Sequence, residues 1–142
     1  MEQSSQKKEV NKKVTKVKTY PIPFALETIK ENISISTNFN TQASEEQIKN
    51  QAFKFHSEGN ISEAAKRYQY LINQGCTDPR IFCNYGGIIK GLGKSKEAEL
   101  LIRKAIEINP NYAMAHLNLG NILKQFGKLE EAEISTRKAI EI

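Results

Sequence analysis

Four side chains in this sequence carry the chemistry of metal binding or nucleophilic catalysis: Cys76, Cys83, His56 and His116. Their spacing argues against both uses. Cys76 and Cys83 do not form the close cysteine pair of a zinc or thiol-redox motif, and neither histidine lies near them in sequence. A nucleophile needs a base within hydrogen-bond reach, and His56 and His116 stand far apart with no Ser or Cys partner at a sensible spacing. We therefore assign no catalytic residue, no metal and no cofactor. Both cysteines read as free thiols of a reducing compartment, which makes a cytoplasmic location the expectation.

The polar residues that do recur at a fixed spacing are amides and cations. In AHLNLGNILKQFG, residues 115–127, Asn118 sits inside an apolar run where Asn is a poor helix former and a poor core residue. Thirty-four residues earlier stands Asn84, and 34 before that Asn50; His56, Lys90 and Lys124 repeat at the same interval. Each carboxamide offers one acceptor and two donors, enough to pair with both N–H and C=O of an extended peptide. Such a row holds a chain without reading its sequence, at about 0.5–1.5 kcal/mol per hydrogen bond. With Asn121 and Lys49 beside it, the cationic row gives a mildly basic face that favours acidic or carboxylate-ended partners. The competing reading is that the amides bond a neighbouring unit's backbone and the cations are merely solvated.

The elements that must position these residues follow from the same period. Written from Glu45, Pro79 and Ala113, the chain falls into units of 34 residues without a gap. Gly59, Gly93 and Gly127 coincide at helix ends, Ala64, Ala98 and Ala132 coincide after an acidic residue, and RKAIEI occurs at both 103–108 and 137–142. Ser44 opens a capping box with Gln47, and Asp78 followed by Pro79 makes a cap and first-turn pair. The pattern predicts helices over 44–58, 61–74, 78–91, 95–108, 112–125 and 128–141. Within each unit the asparagine falls off the core-facing stripe of the first helix, so stacked units would align the three along one inner wall.

These units resemble the tetratricopeptide repeat family, whose pattern is a bulky residue, Leu-Gly, an aromatic, Ala, a second aromatic and Pro. The second unit carries Phe82, Tyr85-Gly86, Ile89, Ala98, Ile102, Ala105 and Pro110 in those places, and the third carries His116, Leu119-Gly120, Leu123 and Ala132. The first is more divergent, with Ile48, Gln51-Ala52, Phe55, Ala64 and Tyr68, but Leu71 for a small residue and Cys76 for Pro. The resemblance covers residues 44–142. It implies an all-α, right-handed superhelix of three antiparallel helix pairs, with repeats 45–78, 79–112 and 113–142, that binds an extended peptide or protein segment and is not itself an enzyme. LNLGNILKQFGKLEEAE is also similar to the repeats of O-linked N-acetylglucosamine transferases, whose grooves carry asparagine ladders. That similarity keeps an alternative open, in which these units are the front of a larger glycosyltransferase, sulfotransferase or methyltransferase truncated at Ile142. Chaperone-binding members clip a terminal carboxylate with five residues. Lys49 and Asn84 match here, while Phe53, Met114 and Asn118 stand where an Asn, a Lys and an Arg are needed, so no clamp is expected.

Composition bounds the rest. The chain has 142 residues, 39% hydrophobic and 26% charged, which suits one soluble domain with a modest core. Of the formal charge of +5, most lies in residues 1–19, where Lys7, Lys8, Lys12, Lys13, Lys16 and Lys18 face only Glu2 and Glu9. No aromatic residue lies among those lysines to stack on bases and no apolar run follows them, so a solvated, disordered arm is expected rather than a nucleic-acid site or a secretory signal. Residues 20–43 read as a short amphipathic helix after Pro21 and Pro23, then a Ser/Thr/Asn-rich linker. No stretch is long and apolar enough to span a bilayer. At the other end, Leu123, Ile134, Ala139, Ile140 and Ile142 lack a polar terminal helix, so self-association through the last repeat is expected.

Overall fold

The computed structural model describes residues 43–142, so the basic arm and, apart from Ala43, the helix and linker expected over 20–43 lie outside the described residues. Among the described residues there are six helices and no strand: α1 (Glu45–Ser57), α2 (Ile61–Asn73), α3 (Pro79–Gly91), α4 (Ser95–Ile108), α5 (Ala113–Gln125) and α6 (Leu129–Glu141). Each lies within one residue of the range the 34-residue period predicts.

Local chemistry sets the ends. Ser44 Oγ accepts from the Gln47 N–H at 3.2 Å, and Gln47 Oε1 accepts from the Ser44 N–H at 2.9 Å, closing the capping box of α1. Asp78 Oδ1 caps α3 by accepting from the Arg80 N–H at 2.9 Å, with Pro79 in the first turn. Where α1, α3 and α5 stop, Gly59, Gly93 and Gly127 take φ of 77°, 80° and 72°, a backbone that costs other residues strain.

The helices pack mainly on their sequence neighbours, α1 on α2 through to α5 on α6, and α3 also touches α5 directly. The first helices of the three units thus stand side by side as one wall and the second helices form the other, an all-α superhelix of antiparallel pairs. Small residues make the pairing close. Gly86 faces Ile102 so tightly that a built Cβ would lie 2.8 Å from Ile102 Cγ1 and 3.4 Å from the Ala98 carbonyl oxygen. Ala98 itself is fully buried. In the third unit the half-buried His116 occupies the bulky slot, and its Nε2 donates to the Pro110 carbonyl oxygen at 2.7 Å. The last helix buries Ala132 and Ser135, while Ile134 and Ile140 remain 69% and 82% exposed. No described helix is long and apolar enough to cross a membrane.

Candidate functional site

The asparagines divide once the helices are placed. Asn84 and Asn118 are half-buried and reach back onto the preceding unit. Asn84 Nδ2 donates to the Tyr68 hydroxyl at 3.2 Å, and Asn118 Nδ2 donates to Cys83 Sγ at 3.2 Å. These bonds go to side chains rather than to the backbone, and each uses a single N–H. Asn50 and Asn121 are exposed on α1 and α5.

Tyr68 links three helices. It is fully buried, accepts from Asn84, and lies 2.9 Å from His56 Nδ1. The hydroxyl oxygen thus joins the Asn84 amide of α3 to the His56 ring of α1. Burial pushes the Tyr68 hydroxyl above its ordinary pKa, against the Asn84 hydrogen bond. Its ring also meets Phe53 at 6.1 Å and His56 at 5.7 Å between centroids. His56 is therefore tied through Tyr68 to the seam between the first two units.

Asp78 organises the same seam from its other end. Besides capping α3, its carboxylate takes Arg80 in a fork, at 3.0 Å to Nε and 2.6 Å to Nη2, and has Lys49 Nζ at 3.8 Å. The Arg80 guanidinium lies 4.9 Å from the centroid of the Phe53 ring. Lys49 is only 15% exposed and also pairs with Glu45 at 2.9 Å. Arg80 first of all, by its side-chain hydrogen bonds, and Lys49 by its charge hold the Asp78 carboxyl below the ordinary aspartate range despite burial. Its stabilising effect is thus complete above the unfolded pKa and disappears as pH falls through the lower folded one. We expect Asp78→Ala to cost about 1–2 kcal/mol at neutral pH as a lost cap and charge partner. The difference from the parent chain should close below about pH 4, as urea titrations across the acid range will read.

On α3 and α5 the remaining predicted residues stay on the open face. Lys90 is half-buried and Lys124 exposed, each in the last turn of its helix and with no ion pair to a described residue. Beside them lie residues that the 34-residue comparison does not single out. Met114 and Leu117, one turn apart on α5, are 50% and 40% exposed, and Gly87 on α3 is open enough that a Cβ would meet nothing within 4 Å. Phe53, Arg80, Met114 and Gly87 each occur in one unit alone, so a search for repeated residues passes over them. Cys76 and Cys83 are buried, and burial raises both thiols above their ordinary pKa. Neither is an activated nucleophile. Among the described residues no group of His, Cys, Asp and Glu could hold a metal ion.

Comparison with known proteins agrees with this architecture. Two sequence models described as tetratricopeptide repeat match residues 79–112 and 101–134. No curated protein matches the chain in sequence. Among solved structures, the second TPR of Spaghetti (RPAP3), bound to the HSP90 peptide SRMEEVD, is similar with a TM-score of 0.62 and 24% identity, over 71% of this chain and 93% of that one. The Yersinia enterocolitica type III secretion chaperone SycD, in complex with a peptide of the translocator YopD, is similar with a TM-score of 0.62 and 24% identity, over 71% and 79%. At that identity the likeness carries the fold. With the 34-residue units, the close-packed small residues and the two sequence matches in agreement, residues 79–134 carry tetratricopeptide repeats, and the six described helices have that family's fold.

Proposed function

We propose that the chain is a non-catalytic scaffold that holds an extended peptide or protein segment along the wall formed by α1, α3 and α5. The observation that carries this reading is the set of polar groups the core leaves unused on that wall. Asn50 and Asn121 are exposed, and Asn84 and Asn118 each retain an amide hydrogen and a carbonyl oxygen beyond their bond to the preceding unit. That both solved relatives hold peptides supports it. Lys90 and Lys124 favour an acidic partner.

The test separates binding from architecture. A peptide selected from a random library is titrated calorimetrically against the parent chain and two double variants, beside thermal melts. Asn50→Ala with Asn121→Ala should weaken binding with the melt unchanged. Asn84→Ala with Asn118→Ala should weaken binding and also lose about 0.5–1.5 kcal/mol per interunit bond. If the first pair binds normally, the amides are architectural and the groove reading fails.

The scaffold also has a surface for its own copies. Ile134 and Ile140 on α6 are too exposed for an ordinary outer helix. We expect reversible self-association in sedimentation runs at rising concentration, lost in Ile134→Glu. A monomer at every concentration refutes it.

A further inference from the structure

Resting on the groove reading above, we propose that the wall takes an internal extended segment in which acidic and apolar residues alternate, and that it does not read a chain-terminal carboxylate. At the Lys49 end an anion is already in place. The Asp78 carboxylate, itself only 10% exposed, lies between Lys49 at 3.8 Å and Arg80 at 2.6 Å, and Glu45 takes Lys49 at 2.9 Å. A peptide carboxylate arriving there meets cations that are paired and a buried negative charge that repels it. On α5 the positions that would complete a clamp are Met114 and Asn118, and Asn118 is bonded to Cys83.

Two cations on the open face that pair with no described residue lie elsewhere. Lys90 and Lys124 occupy equivalent places on adjacent helices and have no ion pair to a described residue. Seven residues back along α5, about 10 Å at the helical rise, the exposed Met114–Leu117 patch forms the opposite edge. Between the edges on α3 is Gly87, where helix stability would favour Ala and no internal packing demands Gly. A bare floor between a cationic edge and an apolar edge fits an extended backbone. Successive side chains of such a segment point to opposite sides, so one set reaches the lysines and the other reaches Met114 and Leu117. Two residues advance it by about 6.6–7 Å, and the lysine stems reconcile this with an interhelix spacing of about 8–10 Å.

The probe is a fluorescent, acetylated and amidated peptide, Gly-Glu-Leu-Glu-Leu-Glu-Leu-Gly, read by anisotropy on the 142-residue chain. Comparators are a block version with the same residues as Glu-Glu-Glu-Leu-Leu-Leu, a version with Lys for Glu, and the alternating peptide with a free C-terminal acid. We expect the alternating probe to bind about tenfold more tightly than the block and Lys versions, the gain of roughly two partly desolvated charge contacts. A free acid should change affinity by less than about twofold. Lys90→Ala with Lys124→Ala should remove most of the gain and most of its salt dependence. Gly87→Leu should abolish binding without lowering the melting temperature, since Leu is the better helix former and its Cβ would meet nothing within 4 Å. Equal binding of the block version, or a strong preference for the free acid, overturns the proposal. If library peptides bind and Gly87→Leu expels them while the alternating probe does not bind, this proposal fails and the groove reading stands. If no peptide binds in a Gly87-sensitive way, both fail.

Discussion

Truncating Tyr68 to alanine should cost about 3–5 kcal/mol, the usual loss for a buried aromatic ring. The ring is wholly enclosed and packs against Phe53 and His56, so its removal leaves a cavity on the seam between the first and second units. In a domain of this size the melting temperature should fall by roughly 15–30 °C. Tyr68→Phe keeps the ring and removes only the hydroxyl that joins Asn84 to His56. Because both partners are half-buried and reach water, this change should cost about 1–2 kcal/mol. Equilibrium urea unfolding of the two variants apportions the seam. Equal losses would mean that the hydrogen-bonded link, and not packing, holds the units together.

The second large effect is a pair of identical substitutions with opposite signs. At Gly120 a built Cβ would press into Thr136 Oγ1 and stand 3.2 Å from the Ala132 carbonyl oxygen. Thr136 Oγ1 cannot swing away cheaply, since it donates to that carbonyl at 2.9 Å and sits on a β-branched side chain. Gly120→Ala must therefore push α5 and α6 apart, at about 2–3 kcal/mol. Gly87→Ala meets nothing and should stabilise the chain by about 0.5–1 kcal/mol, because a mid-helix glycine sacrifices conformational entropy for no contact. Differential scanning calorimetry reads both. A neutral Gly120→Ala would mean that the α5–α6 contact is looser than described.

These contrasts show where sequence reading succeeds on this chain. Helix ranges were legible because backbone constraints recur: a positive-φ glycine after each first helix and small residues at each close crossing are repeated every 34 residues. The groove was legible only as a helix face. Periodicity places Asn84 and Asn118 off the core stripe, yet it cannot say that their amides turn onto Tyr68 and Cys83, because side-chain direction across a unit boundary depends on neighbours 16 and 35 residues away. Asp78 was visible as a cap and not as the anion that engages Lys49 and Arg80. Self-comparison finds what units share, whereas Phe53, Arg80, Gly87 and Met114 distinguish one unit from the next.

The mainly neighbour-to-neighbour packing of the six helices also bears on how the chain acquires its structure. Nearly every native contact closes a loop of a few tens of residues, so little entropy is lost before a contact forms, and the contact order is low. Folding should therefore be fast, on the order of microseconds to milliseconds, and should begin wherever one helix pair first closes. The middle pair has neighbours on both sides and should be the last to open, with the outer pairs unzipping toward it.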